Sequence, residues 1–396
     1  MLEETAWSME GDLGLQSGGL ASSAGADPST AWGGAILEFL VSYGESFAYD
    51  TRYRVVMAEE EGERTGENRL SARQRNWHGL TSDYDRAYVA FERGPLRLAV
   101  GRDYVSWGAD PAAALLVSDA GLSHDGLHVH LRMGRFQLAS VAARLAGDGD
   151  RNYAAHRLEV RLGDVRLGVH EAVVYTSPHF EPAYLFPIAF YYGNQFNERA
   201  DDNTLLGADV RWVAPWVTLD GELLVDDFIY DGDPAPNKLG WRVAATRPVA
   251  LGGTDLEVGA SYERMARYTF THRHPEVAYV GGGGDPAAGD PWLGSPLGPD
   301  ADRWSLRLGW APQALARLWI EHGRTRRGDG NRDLAPWEPG MPHDLPFPSG
   351  EVRVESRTEC GGSLRLGRRA EFRGLAALLT DTSTRGELRA ELRLDF

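Results

Sequence analysis

The twelve residues from Arg385 to Phe396, RGELRAELRLDF, alternate between apolar and charged side chains. Leu388, Ala390, Leu392, Leu394 and Phe396 fall in one phase, and Glu387, Arg389, Glu391, Arg393 and Asp395 in the other. Successive side chains of an extended chain leave on opposite faces, so this period separates an apolar face from a charged one. A helix, with its period of 3.6, would scatter both sets around its axis. The segment therefore reads as a strand with one face against an apolar medium and the other against water.

The same period recurs along the chain. Leu158, Val160 and Leu162 alternate with Arg157, Glu159 and Arg161, and Val165, Leu167 and Val169 with Asp164, Arg166 and His170. Trp304, Leu306, Leu308 and Trp310 alternate with Arg303, Ser305 and Arg307, and Val352 and Val354 with Glu351, Arg353 and Glu355. No stretch carries a long amphipathic helical pattern, so the fold class is all-β. About eighteen strands result, with boundaries good to ~2–4 residues: 4–16, 33–43, 47–57, 84–93, 96–103, 125–133, 135–146, 153–162, 165–175, 203–213, 216–226, 239–248, 255–267, 302–310, 314–323, 350–367, 370–380 and 386–396.

The connections fall into two alternating sets. Short turns such as YGES (43–46), RMGR (132–135), LGD (162–164) and APQ (311–313) alternate with a second, mostly longer set that runs from 17–32 to 381–385. One rim thus carries tight turns and the other carries excursions, and an even strand count brings both termini to the tight-turn rim. These are the traits of an outer-membrane barrel. The expectation is a single antiparallel transmembrane β-barrel domain over residues 1–396, with short periplasmic turns and long extracellular loops. The loops at about 58–83, 104–124, 176–202, 268–301 and 324–349 are long enough to fold inward. A propeller or β-helix would show a fixed repeat, and tandem sandwiches would show a linker; neither is present.

Composition agrees once the alternation is understood. The chain is 42% hydrophobic and 25% charged, with a mean hydropathy of -0.37. No segment approaches the ~18 apolar residues of a membrane-spanning helix, but a barrel wall shows lipid only every second side chain. A net charge of -16 argues against nucleic acid as a partner. The single Cys360 excludes an internal disulfide. Met1 is followed by LEETAWSMEGDLG, which has neither a basic start nor an apolar run. The expected location is therefore the Gram-negative outer membrane, in mature form. Trp212, Trp216, Trp310 and Tyr262, near strand ends, are expected in interfacial girdles beside outer-membrane lipid and lipopolysaccharide. The last strand is expected to close the barrel against a strand near Thr5–Gln16, leaving no edge. Its terminal Phe396 resembles the aromatic signature by which such proteins are handed to the outer-membrane assembly machinery. A closed wall makes a monomer sufficient.

Three connections hold candidate chemistry. GRDYVSWGADPAAALLVSDAGLSHDGL (101–127) offers Arg102, Trp107, Asp119 and Asp125 at a barrel rim, suited either to ligand contact or to loop–wall salt bridges. The connection YTSPHFEPAYLFPIAFYYGNQFNERADDN (175–203) is rich in aromatics, with Tyr184, Tyr191 and Tyr192 among them. These rings suit sugar stacking, a plug core or a short interfacial helix equally. In GELLVDDFIYDGDPAPN (221–237), Asp226, Asp227, Asp231 and Asp233 supply the hard oxygens calcium prefers, without the EF-hand glycine and terminal glutamate. No other cofactor is indicated. His128 and His130 share a strand face but lack an evident third metal ligand. No G-x-S-x-G elbow or GxxxxGK[ST] loop occurs, so no enzyme is expected.

The stretches GRDYVSWG, LLVSDAG…DGL, EPAYLFPIAFYY, DDNTLLGADVRW and LDGELLVDDF, from about Gly101 to Phe228, resemble the capsule assembly protein Wzi family. Positions matching its pattern are Gly101, Arg102, Trp107, Gly108, Asp119, Asp125, Tyr184, Pro187, Asn203, Gly207, Glu222, Asp226 and Asp227. The resemblance implies an eighteen-stranded outer-membrane barrel with a lectin-like, non-catalytic role in holding capsular or other surface polysaccharide. Arg102, Trp107, Asp119, Asp125, Tyr184, Tyr191, Tyr192 and Glu222 are the candidate saccharide contacts. The first strand begins almost at Met1, leaving no obvious place for a periplasmic helical part like that of the capsule protein. The alternative function is a porin-like channel for small polar solutes, because a barrel of ~16–18 strands is wide enough for a pore unless something fills it.

Overall fold

The structure, a computed structural model, describes residues 7–395 apart from 23–29, 59–79, 111–112, 122, 146–149, 199–200, 229–234, 252–253, 283, 287–289, 314, 332–334 and 343. Eighteen strands follow one another: β1 (Trp7–Ser22), β2 (Thr30–Tyr43), β3 (Phe47–Ala58), β4 (Leu80–Arg93), β5 (Leu96–Asp103), β6 (His124–Met133), β7 (Phe136–Arg144), β8 (Arg151–Leu162) and β9 (Val165–Thr176). After two helices, α1 (Pro182–Leu185) and α2 (Tyr191–Glu198), come β10 (Asn203–Ala214), β11 (Val217–Asp227), β12 (Lys238–Leu251), β13 (Thr254–Met265), β14 (Ala301–Gln313), β15 (Ala316–Arg327), β16 (Arg353–Arg365), β17 (Ala370–Thr380) and β18 (Thr384–Asp395). Each strand pairs antiparallel with its neighbours in sequence, and β1 pairs with both β2 and β18, so the sheet closes into a barrel.

Closure uses the strand expected to make it. Leu13 faces Leu394, Leu15 faces Leu392 and Ser17 faces Ala390. β1 runs on to Ser22, beyond the expected Gln16, because its pairing with β18 extends to Ser22↔Arg385. The connection at 381–383 is a tight turn instead of a longer loop. There the Ser383 amide donates to the Asp381 side chain at 2.8 Å. On the opposite rim, Gly134 (φ +61°) and Gly163 (φ +62°) supply the left-handed backbone that two-residue hairpin turns need. Phe396 lies outside the described residues.

Side-chain phase follows the alternation. Leu388, Leu394, Leu306, Leu308 and Val169 are exposed on the outside of the wall. Trp212, Trp216 and Trp310 stand towards the short-turn rim, and Trp241, Tyr262 and Trp304 towards the loop rim. The other phase points into the lumen, where charges pair across strands. Arg393 bridges Asp12 (2.8 Å) and Glu38 (2.5 Å), Arg52 meets Glu38 at 3.0 Å, and Arg54 meets Asp85 at 2.7 Å. Arg157 holds both Glu159 (2.6 Å) and Asp209 (2.8 Å). A lone buried charge here would be costly, and pairing offsets part of that cost. No described helix is long and apolar enough to cross a membrane; the strands form the wall.

Among the described residues, loops 104–123 and 266–300 fold into the lumen. Trp107, Leu115, Leu116, Phe270, Tyr279 and Leu293 form an apolar core, packed on the inward faces of wall residues such as Tyr153, Val174 and Leu224. The two loops are joined by backbone bonds, Ser118 N to Leu293 O and Ser295 N to Leu115 O, both 3.0 Å. The Tyr279 hydroxyl also donates to Leu116 O at 2.8 Å.

The loop at 177–202 goes the other way. Tyr184 and Tyr191 are buried with Ala154, Val173 and Tyr175, which belong to the outward phase of β8 and β9. The loop thus lies on the outside of the barrel, not within it. The cause is in the wall: His156 and Glu171 face each other in that outward row. A bare carboxylate there would sit against lipid, at a cost of up to a few kcal/mol (~2–4 for Arg or Lys at mid-bilayer, less for Glu). The start of α2 instead presents the amides of Tyr191 (2.8 Å) and Tyr192 (2.7 Å) to Glu171.

Candidate functional site

The loop core packs against the wall formed by β7–β14. On the other side of the lumen, between β14 and β2, lies a cavity of about 420 Å³. Its lining includes Trp32, Trp319, Arg307, Arg317, Arg373 and Arg389, with Gln16, Ser363 and Glu391. Four guanidinium groups and one carboxylate line it, and three of the arginines are also paired with glutamates beside the lining.

Register explains how these residues, remote in sequence, converge. Arg317 faces Ser363, Ser363 faces Arg373, Arg373 faces Glu391, and Glu391 faces Gln16. One step along the strands, a second row runs Trp319, Gly361, Leu375, Arg389, Gly18, Trp32. Because the strands are staggered around the wall, the rows climb, from close to the turn rim at Arg317 to close to the loop rim at Trp32. At ~4.8 Å per strand, the Trp319–Trp32 row runs on the order of 20 Å along the inner surface.

The two indoles are laid against glycines. A Cβ on Gly18 would stand 2.7 Å from Trp32 ring atoms, and one on Gly361 2.7 Å from Trp319 Cζ2. Only a residue without a side chain lets the rings lie so close to the wall. The Arg307 guanidinium stands 4.3 Å from the centroid of the Trp319 ring, a cation–π arrangement. Arg307, Arg373 and Arg389 pair with Glu321 (3.2 Å), Glu371 (2.8 Å) and Glu387 respectively. A guanidinium has five N–H donors, so one that holds a carboxylate can also donate to a ligand. Flat aromatic faces, forked cations and neutral amide and hydroxyl groups can together bind a sugar's apolar face, its carboxylate and its hydroxyls.

The residues singled out from sequence take three different places. Arg102 and Asp125 are a bidentate pair (2.9 and 2.6 Å), in register on β5 and β6. They share a phase with the exposed Val100, on the outer face of the wall. Arg102 also reaches Asp83 at 3.3 Å. Trp107 is buried in the loop core, with its amide on Val117 O at 3.0 Å. Asp119 lies in the turn of the same loop. Tyr184 and Tyr191 are buried on the outer wall; the Tyr184 hydroxyl donates to Asp202 at 2.6 Å, and that of Tyr191 to Tyr184 O at 3.0 Å. Tyr192, in the same loop, is exposed.

Glu222 alone of this set points into the lumen from the wall. It is buried, and it accepts the amides of Ala109 (2.9 Å), Asp110 (3.4 Å) and Leu115 (2.9 Å). Arg242 meets Asp110 at 3.0 Å, and Arg211 and Arg166 donate to Ala109 O at 2.8 and 2.9 Å. Glu222 therefore anchors loop 104–123. Arg151 anchors the other loop, donating to four alternate carbonyls: Glu276 (2.6 Å), Ala278 (2.9 Å), Val280 (2.8 Å) and Gly282 (3.2 Å).

Asp226 accepts the Phe270 amide at 2.5 Å, and Asp227 stands 3.8 Å from Lys238. Asp231 and Asp233 lie outside the described residues. Among the described residues no group of three or more His, Cys, Asp or Glu is placed to hold a metal ion. The chamber residues were missed in sequence, although a tryptophan in the charged phase of a strand, as in Arg317–Trp319–Glu321, is a signal for one.

No family model matches the chain, and no curated protein matches it. Solved structures do. Wzi from Escherichia coli, described as an outer-membrane, carbohydrate-binding β-barrel involved in group 1 capsule assembly, superposes with a TM-score of 0.65 at 14% identity, over 96% of this chain and 84% of that one. Pseudomonas aeruginosa OccK2 (OpdF), solved with glucuronate, gives 0.55 at 10% identity over 98% of each chain. A BenF-like porin from Pseudomonas fluorescens Pf-5 gives 0.57 at 11% identity over all of both chains. The chain shares its fold with these outer-membrane barrels.

Proposed function

We propose that this barrel is a non-enzymatic binder of an acidic saccharide chain, held along the climbing row from Trp319 to Trp32, and that it serves to retain surface polysaccharide. The observation that carries this reading is the pair of indoles laid on Gly361 and Gly18 beside four arginines. A row of this length suits an extended polymer better than a compact solute. The carbohydrate-binding description of Wzi and the glucuronate complex of OccK2 support a sugar, and an acidic one, as the ligand class.

A second reading is a channel for small acidic solutes. It is favoured by the chamber lying across the lumen from the loop core, and by the porins that share the fold. Planar-bilayer recording separates the two. A binder occluded by loops 104–123 and 266–300 gives no steady single-channel current. Long-lived open currents, reduced only transiently by added glucuronate, would sink the binder in favour of the channel.

A further inference from the structure

Loop 177–202 has two faces of different fate. Towards the barrel it presents Tyr184 and Tyr191, buried against Tyr175, Ala154 and Val173 on the outer wall. Ring centroids of Tyr184 lie 4.8 Å from Tyr175 and 5.3 Å from Tyr191. Away from the barrel it presents Phe180, Leu185, Phe186, Ile188, Phe190 and Tyr192, all exposed, with Ile188 at 68% and Phe190 at 58%. Residues 182–197 contain no charged side chain. Contiguous apolar exposure of this kind is rare on a surface that meets water.

The outer face is continuous with a surface already assigned. Immediately towards the turn rim on the same two strands stand Leu158 and Val169, exposed in the lipid-facing phase. The loop meets the wall at mid-strand, through Glu171 and the amides of Tyr191 and Tyr192, not above the rim. The far end is tethered on the polar side. Asp201 meets Arg273 and, at 2.7 Å, His274 of loop 266–300. An apolar face at wall height, flanked by lipid-facing leucine and valine and tied to a polar loop at one end, has the layout of an interfacial segment.

We propose that loop 177–202 is a lipid-embedded collar: α1, α2 and the residues between them lie against the outside of the barrel, with Phe186, Ile188 and Phe190 among the acyl chains of the outer leaflet. The collar widens the barrel's apolar footprint on the β8–β9 side. It also shields His156 and Glu171, two polar groups that the wall would otherwise offer to lipid.

Cys360 provides an internal reference, since it is exposed and shares its phase with Ile320 and Leu318 on the lipid face. The test uses the whole barrel in vesicles of lipid brominated along the acyl chain. An environment-sensitive fluorophore is placed either on Cys360 or, in a Cys360→Ser background, on Ile188→Cys. A third probe, on Phe186→Cys, guards against a single position that perturbs the loop. The collar predicts quenching of the Ile188 and Phe186 probes by the brominated chains to within about twofold of the Cys360 probe, and protection from aqueous iodide. Iodide quenching without bromine quenching would overturn it by placing the loop in water. Shielding from both quenchers that is relieved on dilution would also overturn it, by making the apolar face a contact between two copies of the chain.

Discussion

The indole of Trp32 lies against Gly18 so closely that a Cβ there would stand 2.7 Å from three of its ring atoms. The two residues face each other across β1 and β2, near the loop rim. Gly18→Val should keep the strand, because valine is at home in a sheet, but should push the ring off the wall. Saccharide affinity is expected to fall about tenfold, or ~1.4 kcal/mol, with the barrel still folded by its heat-modifiable migration. Gly33→Ala is the control, since its Cβ would meet only Gln16 O, at 3.9 Å. Calorimetric titration of both variants checks the pair.

The arginines make a different contribution. Arg317→Gln or Arg373→Gln removes a positive charge from the chamber and leaves the indoles in place. Binding of an acidic oligosaccharide should weaken about ten- to a hundredfold for each, the range given by the ~1.5–3 kcal/mol typical of hydrogen bonds to charged groups. The salt dependence should become shallower. A neutral oligosaccharide should bind both variants as it binds the parent. Equal losses for the acidic and neutral ligands would assign these arginines to wall structure instead.

Glu222 pins loop 104–123 to the wall. Glu222→Ala would leave the amides of Ala109, Asp110 and Leu115 without their acceptor, at ~1–3 kcal/mol for each one that stays buried. Loop 104–123 should loosen, with faster hydrogen exchange at Ala109 and Leu115 and intermittent currents in bilayers. Glu222→Gln, which keeps an acceptor oxygen, should show a smaller effect on both. Unchanged exchange in the alanine variant would mean that the apolar core alone holds the loop.

Much of the barrel is legible in the sequence, and the reason is the period of two. Leu388 to Leu394 and Glu387 to Arg393 occupy the outer and inner faces assigned from alternation alone, because membrane and lumen select opposite chemistry. What alternation cannot convey is register. Trp319 and Gly361 are neighbours only because β15 and β16 pair as they do, and the Trp32–Gly18 contact has the same origin. Nor does alternation say on which side of the wall a loop will fold. Loop 177–202 lies outside because the outward row of β8–β9 turns polar at His156 and Glu171. Arg102 and Asp125 pair on the outer wall for a related reason: at that end of the strands the outward phase is no longer apolar.

The tether between the two loops should respond to acid. His272 stands 3.7 Å from Asp201. Burial draws its imidazole down to about 4; Asp201 opposes this, while Lys238, His274 and Arg273 reinforce it. Its value in the folded protein lies below the ~6.5 of a free histidine. The detached state therefore takes up the proton more readily, so this stabilisation is complete above pH ~6.5 and is lost as pH falls through about 4. Burial raises the Asp201 carboxyl, but the Arg273 hydrogen bond and nearby positive charge outweigh it and hold the group below its usual range. It therefore weakens in the same direction, at lower pH still. A nitroxide on Asn197→Cys should be immobile from pH 8 to 7 and gain mobility towards pH 4. Mobility that does not change over this span would contradict the tether.

Binding of an acidic saccharide on the two lumen indoles is measured by calorimetric titration of a uronate-containing oligosaccharide into the purified barrel and into its Trp32→Ala/Trp319→Ala variant. Saturable binding to the parent is expected, with a loss of about 30- to 150-fold in the double variant, on the order of 1–1.5 kcal/mol for each ring. Equal affinity for both proteins, or no saturable binding to the parent, would contradict it.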